Sequence, residues 1–364
     1  MKKITISEHI MANAAALAEE RAEVGKEAWI ARSLPITATL ARLYGRKGLC
    51  LKVFPTADLE NPKWGGVRLA ESTKVQNMFA IHGVAPRVYG LAVINDQYAA
   101  QVTDYAKMSG EADRDKAAKI ALKFGITAKD LRQSEPGIGA YVSRAPKWRG
   151  KWLVDFGRMY FSDHDAIRAR LTKHVAIYHK KPHEGGNGYQ PCEELGVPGF
   201  RDIAYRAGRM GLSRAVIEGR TVLDLGCNQG AITRLADSLG ALRTVGVDHK
   251  FCRGNRELAN WLGHFNMDFV QARLPQGRRQ IVRQTGIRQF DVVFALSVLG
   301  HAGGYASWFP KLVAPGGTVL FEGQGRDKRE NYQALLDRDF ETVEWLGWIE
   351  DHGIHPLWKC QKAG

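Results

Sequence analysis

Between Arg220 and His249 two short apolar runs are separated by a glycine turn and a helical repeat, an order that few architectures accept. TVLDLG reads as a buried strand, GCNQG as a tight turn, AITRLADSLG as a helix, and TVGVD as a second buried strand ending in an acid. That is a βαβ unit. Gly226 and Gly230 let the backbone come close to a ligand, and the helix N-terminus behind them supplies unpaired amide donors. Asp248, at the tip of the second strand, can accept hydrogen bonds from both hydroxyls of a ribose. A dinucleotide-binding turn would read GxGxxG, whereas this one reads D-x-G-C-x-x-G. Asp224 stands where a phosphate would be repelled, so the turn suits a cationic or zwitterionic ligand.

On these residues, DLGCNQG followed by VGVD, the chain resembles class I S-adenosylmethionine-dependent methyltransferases. The resemblance implies an α/β Rossmann-like domain with a mostly parallel seven-stranded sheet, and S-adenosyl-L-methionine as cofactor. It also implies that Asp224 helps hold the methionine end, that Gly226, Cys227, Asn228 and Gly230 lie against the nucleoside, and that Asp248 holds the ribose. Ser297, at the end of the fourth strand, joins this cofactor set. Arg273 stands near where the family usually carries an acid close to the adenine.

The rest of the sheet follows downstream. NMDFVQARL is a third strand, FDVVFALSV a fourth, and WFPKLVAPGGTVLFEG a helix, a turn and a fifth strand. FETVEWLGWIEDHGIHPLWKC reads as a closing antiparallel pair. Ligands of open α/β sheets bind outside the carboxyl ends of the strands, which selects Ser297, His301, Glu322, His352 and His355 to face a substrate. His301 is the catalytic candidate, because methyl transfer to a hydroxyl needs a positioned group that removes its proton. The loop SVLGHAGG lacks an Asn/Asp-Pro-Pro-aromatic sequence, and no Pro-Cys nucleophile lies near that strand, so DNA bases are disfavoured as acceptors.

The N-terminal half carries a second, weaker set. Lys52 sits inside the apolar strand RKGLCLKVF, Glu71 falls on a helix, APRVYGLAVINDQYAAQVTDYAK forms two strands, and KWLVDFGRMYFSD is an apolar strand running into Asp155-Phe156-Gly157. A lysine paired with a helical glutamate, plus a strand-end aspartate, is how a nucleoside triphosphate and its magnesium are held. These residues resemble the N-terminal lobe of the protein-kinase-like fold, an α+β domain, and imply ATP with Lys52, Glu71 and Asp155, and magnesium at Asp155. No GxGxxG precedes Lys52, and about forty-five residues after Asp155 leave too little chain for a helical C-terminal lobe. The pairing of the two halves resembles bifunctional kinase-methyltransferases of polysaccharide termination, with the domain order reversed.

Composition bears on what such a protein would meet. Lys plus Arg number 52 against 38 Asp plus Glu, a net charge of +14. Ten basic residues against three acids between Arg144 and His183 account for half of that excess. His164, His174, His179 and His183 share this run without zinc-site spacing, and Trp148 and Trp152 could stack on a base or sugar. Five cysteines without CxxC spacing suit a reducing cytosol, so a cytoplasmic location is expected, and no apolar run is long enough to span a bilayer. Residues 6 to 31 read as one amphipathic helix suited to docking or to a homo-oligomer.

The expected layout is an N-terminal helix (1–32), a kinase-like domain (33–163), a basic linker (164–200) and a methyltransferase domain (201–364). The leading expectation is O-methylation of an anionic sugar, phosphate or small-metabolite acceptor, alongside a kinase-like nucleotide- or substrate-binding domain. Two alternatives are an RNA methyltransferase that uses the basic junction and a regulatory protein that binds cofactor without turnover.

Overall fold

The computed structural model describes residues 29–31, 49–55, 69–93, 98–104, 110–128, 137–138, 148–149, 151–153, 156, 159–178, 181–182, 189–274, 277–298, 308–325, 328–351 and 353–364. The chain forms two compact units, residues 1–170 with 257–265, and residues 171–256 with 266–364.

In the first unit, strands β1 (Trp29–Ala31), β2 (Leu49–Pro55), β3 (Val88–Val93) and β4 (Tyr98–Asp104) form an antiparallel sheet in the order β1-β2-β4-β3. Helix α1 (Leu69–Ile81) joins β2 to β3, and α2 (Arg114–Lys123) follows β4. Helix α1 docks through buried side-chain amides as well as apolar residues. Asn77 Oδ1 accepts from Val88 N at 2.7 Å, and its Nδ2 donates to Val88 O at 3.0 Å, while Gln101 Nε2 donates to Thr73 Oγ1 at 2.8 Å. Such paired amides satisfy groups that burial would otherwise penalise. Strands β5 (Ile126–Ala128) and β8 (Met159–Phe161) pair with each other, as do the two-residue strands β6 (Trp148–Arg149) and β7 (Trp152–Leu153).

Two expectations need correction here. The helix read over residues 6–31 lies outside the described residues up to 28, and Trp29–Ala31 form β1, paired with Leu51–Val53 of β2. Apolar spacing in so short a run cannot separate strand from helix when a partner strand is available. Residues His164–Val175, expected to begin a linker, form helix α3, followed by the hairpin β9 (Ile177–Tyr178) and β10 (Lys181–Pro182). Ile167, Leu171 and Val175, spaced four apart, bury one face of α3.

The second unit holds the mostly parallel, seven-stranded Rossmann-like sheet. Its strands are β11 (Thr221–Leu225), β12 (Arg243–Asp248), β13 (Met267–Gln271), β14 (Phe290–Leu296), β15 (Val313–Glu322), β16 (Thr342–Ile349) and β17 (His355–Gln361), in the order β13-β12-β11-β14-β15-β17-β16. β17 runs antiparallel to both of its neighbours. The helices are α4 (Ile203–Arg209), α5 (Arg214–Ile217), α6 (Ala231–Ser238), α7 (Cys252–Leu262), α8 (Arg278–Thr285) and α9 (Arg329–Asp339).

Alternation along the strands feeds two cores. Leu223, Leu225, Val293, Ala295, Val319 and Phe321 pack on one face with Ile281 of α8 and Leu336 of α9. Val222, Val292, Phe294 and Leu320 pack on the other with Ile217 of α5 and Ile232 and Ala236 of α6. Asp224 has the parity of Val222, so its carboxylate emerges on the α6 face.

Candidate active site

Strand order reverses between β11 and β14, both neighbours of one another in the sheet, and the crevice at such a switch point is where open α/β sheets bind ligands. A cavity of about 880 Å³ opens there, lined by Asp224, Gly226, Asn228, Asp248, Ser297 and His355 among others. Four expected cofactor residues and one expected substrate residue therefore share one cavity with Ser297.

The turn after β11 is built by backbone constraint. Gly226 has φ of 74°, and a side chain there would meet Val298 Cγ2 at 2.6 Å. Gly226 N and Cys227 N both donate to Val247 O, at 2.7 and 3.0 Å, which ties the turn to β12. Asn228 holds a left-handed φ of 50°, unusual for a residue with a Cβ, and Asn255 Nδ2 donates to its carbonyl at 2.6 Å. Ser297 is the second such residue in the cavity wall, with φ of 51°. Strained backbone of this kind persists where surrounding contacts over-determine it.

Asp248 is oriented rather than free. Its Oδ2 accepts from Asn228 N at 3.1 Å and its Oδ1 from Lys250 N at 2.9 Å, leaving further lone pairs for a ligand hydroxyl. Asp224 is buried, and Thr233 Oγ1 donates to its Oδ2 at 2.6 Å. Burial pushes its carboxyl up to about 6, the nearby Asp248 charge adds to the rise, and the Thr233 bond and Arg206 oppose it.

Several placements differ from expectation. Cys227 is turned into the core, where a side chain on Gly246 would come within 2.9 Å of its Sγ, and burial raises its thiol well above the ordinary range. Gly230 does not line the cavity but caps α6 with φ of 77°, its open side filled by Phe269. Glu322 is not among the residues that line the cavity. Only 1% exposed, it pairs with Arg206 (Nη2 to Oε2, 2.5 Å) and accepts a short hydrogen bond from Ser297 Oγ. A buried carboxylate at a strand end is retained by whichever cation lies within reach. His301, His352 and Asp155 lie outside the described residues, as does the side chain of Lys52, which stands on β2 opposite Gln101 of β4. Glu71 stands on α1, where its Oε1 accepts from Phe161 N at 3.2 Å and lies 3.8 Å from His164 Nε2.

Residues that the sequence did not mark complete the wall. Arg201 donates from Nε to Tyr189 Oη at 2.8 Å and from Nη1 to Asp351 Oδ1 at 2.5 Å, and Arg206 Nη1 reaches the same Asp351 oxygen at 3.2 Å. Both arginines and Tyr189 line the cavity. Asp351 Oδ2 and His355 Nδ1 are buried with no hydrogen-bond partner among the described residues. Gln190, in the expected linker, caps α6 by accepting from Ala231 N at 2.9 Å, and Arg234 clamps the same segment through Pro191 O. The sequence offers for these residues only a short helix that carries Arg206, with Arg201 just before it; the carboxylates that the two arginines pair with lie more than a hundred residues away.

No protein-family model matches the chain, and no curated protein matches its sequence. Among solved structures the chain is similar to the bifunctional kinase-methyltransferase WbdD, at 20% identity, covering 52% of this chain and 45% of that one, with a TM-score of 0.38. It is similar to a precorrin-6y C5,15-methyltransferase from Geobacter metallireducens GS-15 at 14% identity, covering 44% and 87%, with a TM-score of 0.35. It is also similar to the 16S rRNA methyltransferase RsmC of T. thermophilus at 19% identity, covering 44% and 41%, with a TM-score of 0.32. This chain spans less than half the length of the first and third of these.

Proposed function

We propose that the second unit is an S-adenosylmethionine-dependent methyltransferase that transfers a methyl group to an oxygen of an anionic, sugar- or phosphate-bearing acceptor. The observation that carries the reading is the convergence of Asp224, Gly226, Asn228 and Asp248 on one cavity at the switch point of the sheet. The donor set fits this cofactor: two carboxylates suit its cationic centres and ribose hydroxyls, and Val247, Ala272 and Leu274 offer an apolar wall for a base. When bound, S-adenosylmethionine supplies an electrophilic methyl group on a sulfonium.

The chain's own residues orient and exclude. Asp248, fixed by two backbone amides, would hold the ribose, and Asp224 would face the methionine end. Arg201 and Arg206 sit in the same wall, held by Asp351 and Glu322, where their remaining N–H groups can donate to oxygens of an acceptor. His355, with its unpartnered Nδ1, would accept or hold a proton near the acceptor, a role for which His301 is the other candidate. Calorimetry tests the assignment: wild type should bind S-adenosylmethionine, and Asp248→Ala should bind at least tenfold more weakly. Equal affinity in the two proteins would sink the cofactor site.

For the first unit the proposal is a kinase-like domain that binds nucleotide or substrate. Lys52 on β2 and Glu71 on α1 follow the order such a site needs, but Glu71 is engaged by Phe161 N, so no phosphoryl-transfer step is derived from it. Thermal stability that ATP and magnesium leave unchanged, in wild type and Lys52→Ala alike, would remove this reading.

A further inference from the structure

On the β12 and β13 side, basic residues follow the strand ends that open on the cavity. Strands β12 and β13 are parallel neighbours with Asp248 opposite Gln271, so the residues that follow each strand emerge side by side. Lys250 and Arg253 follow β12, and Arg273 follows β13 and lines the cavity itself. Helix α8 then presents Arg278, Arg279 and Arg283. All but the half-buried Lys250 are exposed, and none of the six has an ion-pair or hydrogen-bond partner for its side chain among the described residues. The acids of the same segment, Glu257 and Asp268, are buried and already paired with other bases.

Helix α8 is arranged against its own stability. Two arginines occupy its first turn, the end where the helix dipole disfavours cations, and its N-cap, Gly277, makes no side-chain cap hydrogen bond. Arg279 and Arg283 are like charges at i, i+4 spacing, which also works against the helix. A bound anion would remove these costs together, since uncapped amides and guanidinium groups all point to the same kind of ligand. The strip extends from the cavity mouth along a helix, too long for one small anion. It carries none of the exposed large apolar residues that a membrane-surface helix needs, these being Leu122, Phe200 and Tyr205 among the described residues.

We infer that this surface binds the phosphate backbone of a single-stranded nucleic acid and leads one of its nucleotides into the cavity. A single strand, unlike a duplex, can bend one sugar-phosphate unit out of line and into a cavity. As an account of the acceptor the inference rests on the methyl-transfer reading, and as a binding surface it is measured without it.

The test uses the full chain and a labelled single-stranded RNA of about 20 nucleotides, read by fluorescence anisotropy. With about 0.7 of salt slope per phosphate contact on a single strand, six contacts make a rise from 50 to 200 mM salt weaken binding about 300-fold. Replacing three of them by Arg278→Gln, Arg279→Gln and Arg283→Gln together should reduce that factor to about 20-fold. The exposed control pair Arg214→Gln and Arg338→Gln should leave it at the wild-type value. A triple variant with the wild-type affinity and slope would refute the inference. So would a wild type that binds phosphatidylserine vesicles in preference to the RNA, or duplex DNA as tightly as the single strand. Calorimetry with S-adenosylmethionine on the same proteins separates the two proposals. RNA binding without cofactor binding removes the methyltransferase and keeps the surface, and cofactor binding without RNA binding does the reverse.

Discussion

The ion pair behind the cavity offers the sharpest test of how this unit is held together. Arg206 is 5% exposed and Glu322 1%, their charged atoms meet at 2.5 Å, and no other guanidinium among the described residues contacts Glu322. Arg206→Met keeps most of the aliphatic volume but strands the Glu322 carboxylate, while Asp351 retains Arg201. Leaving one buried charge uncompensated costs about 3–5 kcal/mol. In a unit of this size that lowers the midpoint of thermal unfolding by roughly 10 °C. Adding Glu322→Gln should recover more than half of the loss, because a neutral amide can still accept from Ser297 Oγ and no longer needs a counter-ion. Urea and thermal denaturation of wild type, single and double variants read this directly. If Arg206→Met lies within about 1 kcal/mol of wild type, or the double variant is no better than the single, the pair is not what holds the wall.

Asp224 sets a pH dependence of definite sign. Its folded pKa, raised from 3.8 to about 6, means that its contribution is fully present below pH 3.8 and is lost as pH rises through about 6. Asp224→Asn should therefore gain stability relative to wild type above pH 6, by about 2–3 kcal/mol at most, and the gain should vanish near pH 4 in urea titrations. A gain independent of pH would show that the carboxyl is not the titrating group. Gly230→Ala must adopt φ of 77° with its Cβ 2.8 Å from Phe269 Cε1, so it should lose about 1–3 kcal/mol by denaturation. A loss under about 0.5 kcal/mol would mean that the ring moves aside at no cost.

What could be read before folding was whatever depends on neighbours in the chain. Strand β11, the glycine turn, helix α6 and strand β12 follow from apolar periods of two and 3.6 within thirty residues, and Asp248 falls at a strand tip by counting alone. The antiparallel close of the sheet by β16 and β17 was legible for the same reason. The strand-end position of Glu322 points toward the cavity side of the sheet, and position says nothing of a partner. Arg206, 116 residues earlier, claims it. The segment around Gln190 falls in the expected linker, while its order comes from Gln229, Ala231 and Arg234, which accept or donate hydrogen bonds across a gap of about forty residues.

Charge shows the same division. Counting placed half of the +14 between Arg144 and His183, a run that includes Arg170, which the fold commits to the buried Glu257. Another basic group, spread thinly over Lys250 to Arg283, comes to one edge of the sheet only because β12 and β13 are adjacent and in register. Sequence by itself determined the Rossmann-like unit, its turn and its acidic tips, since these rest on local spacing. Only the tertiary structure decided which arginines, carboxylates and amides face the cavity, because burial forces polar groups to find partners wherever the fold brings them, at any distance along the chain.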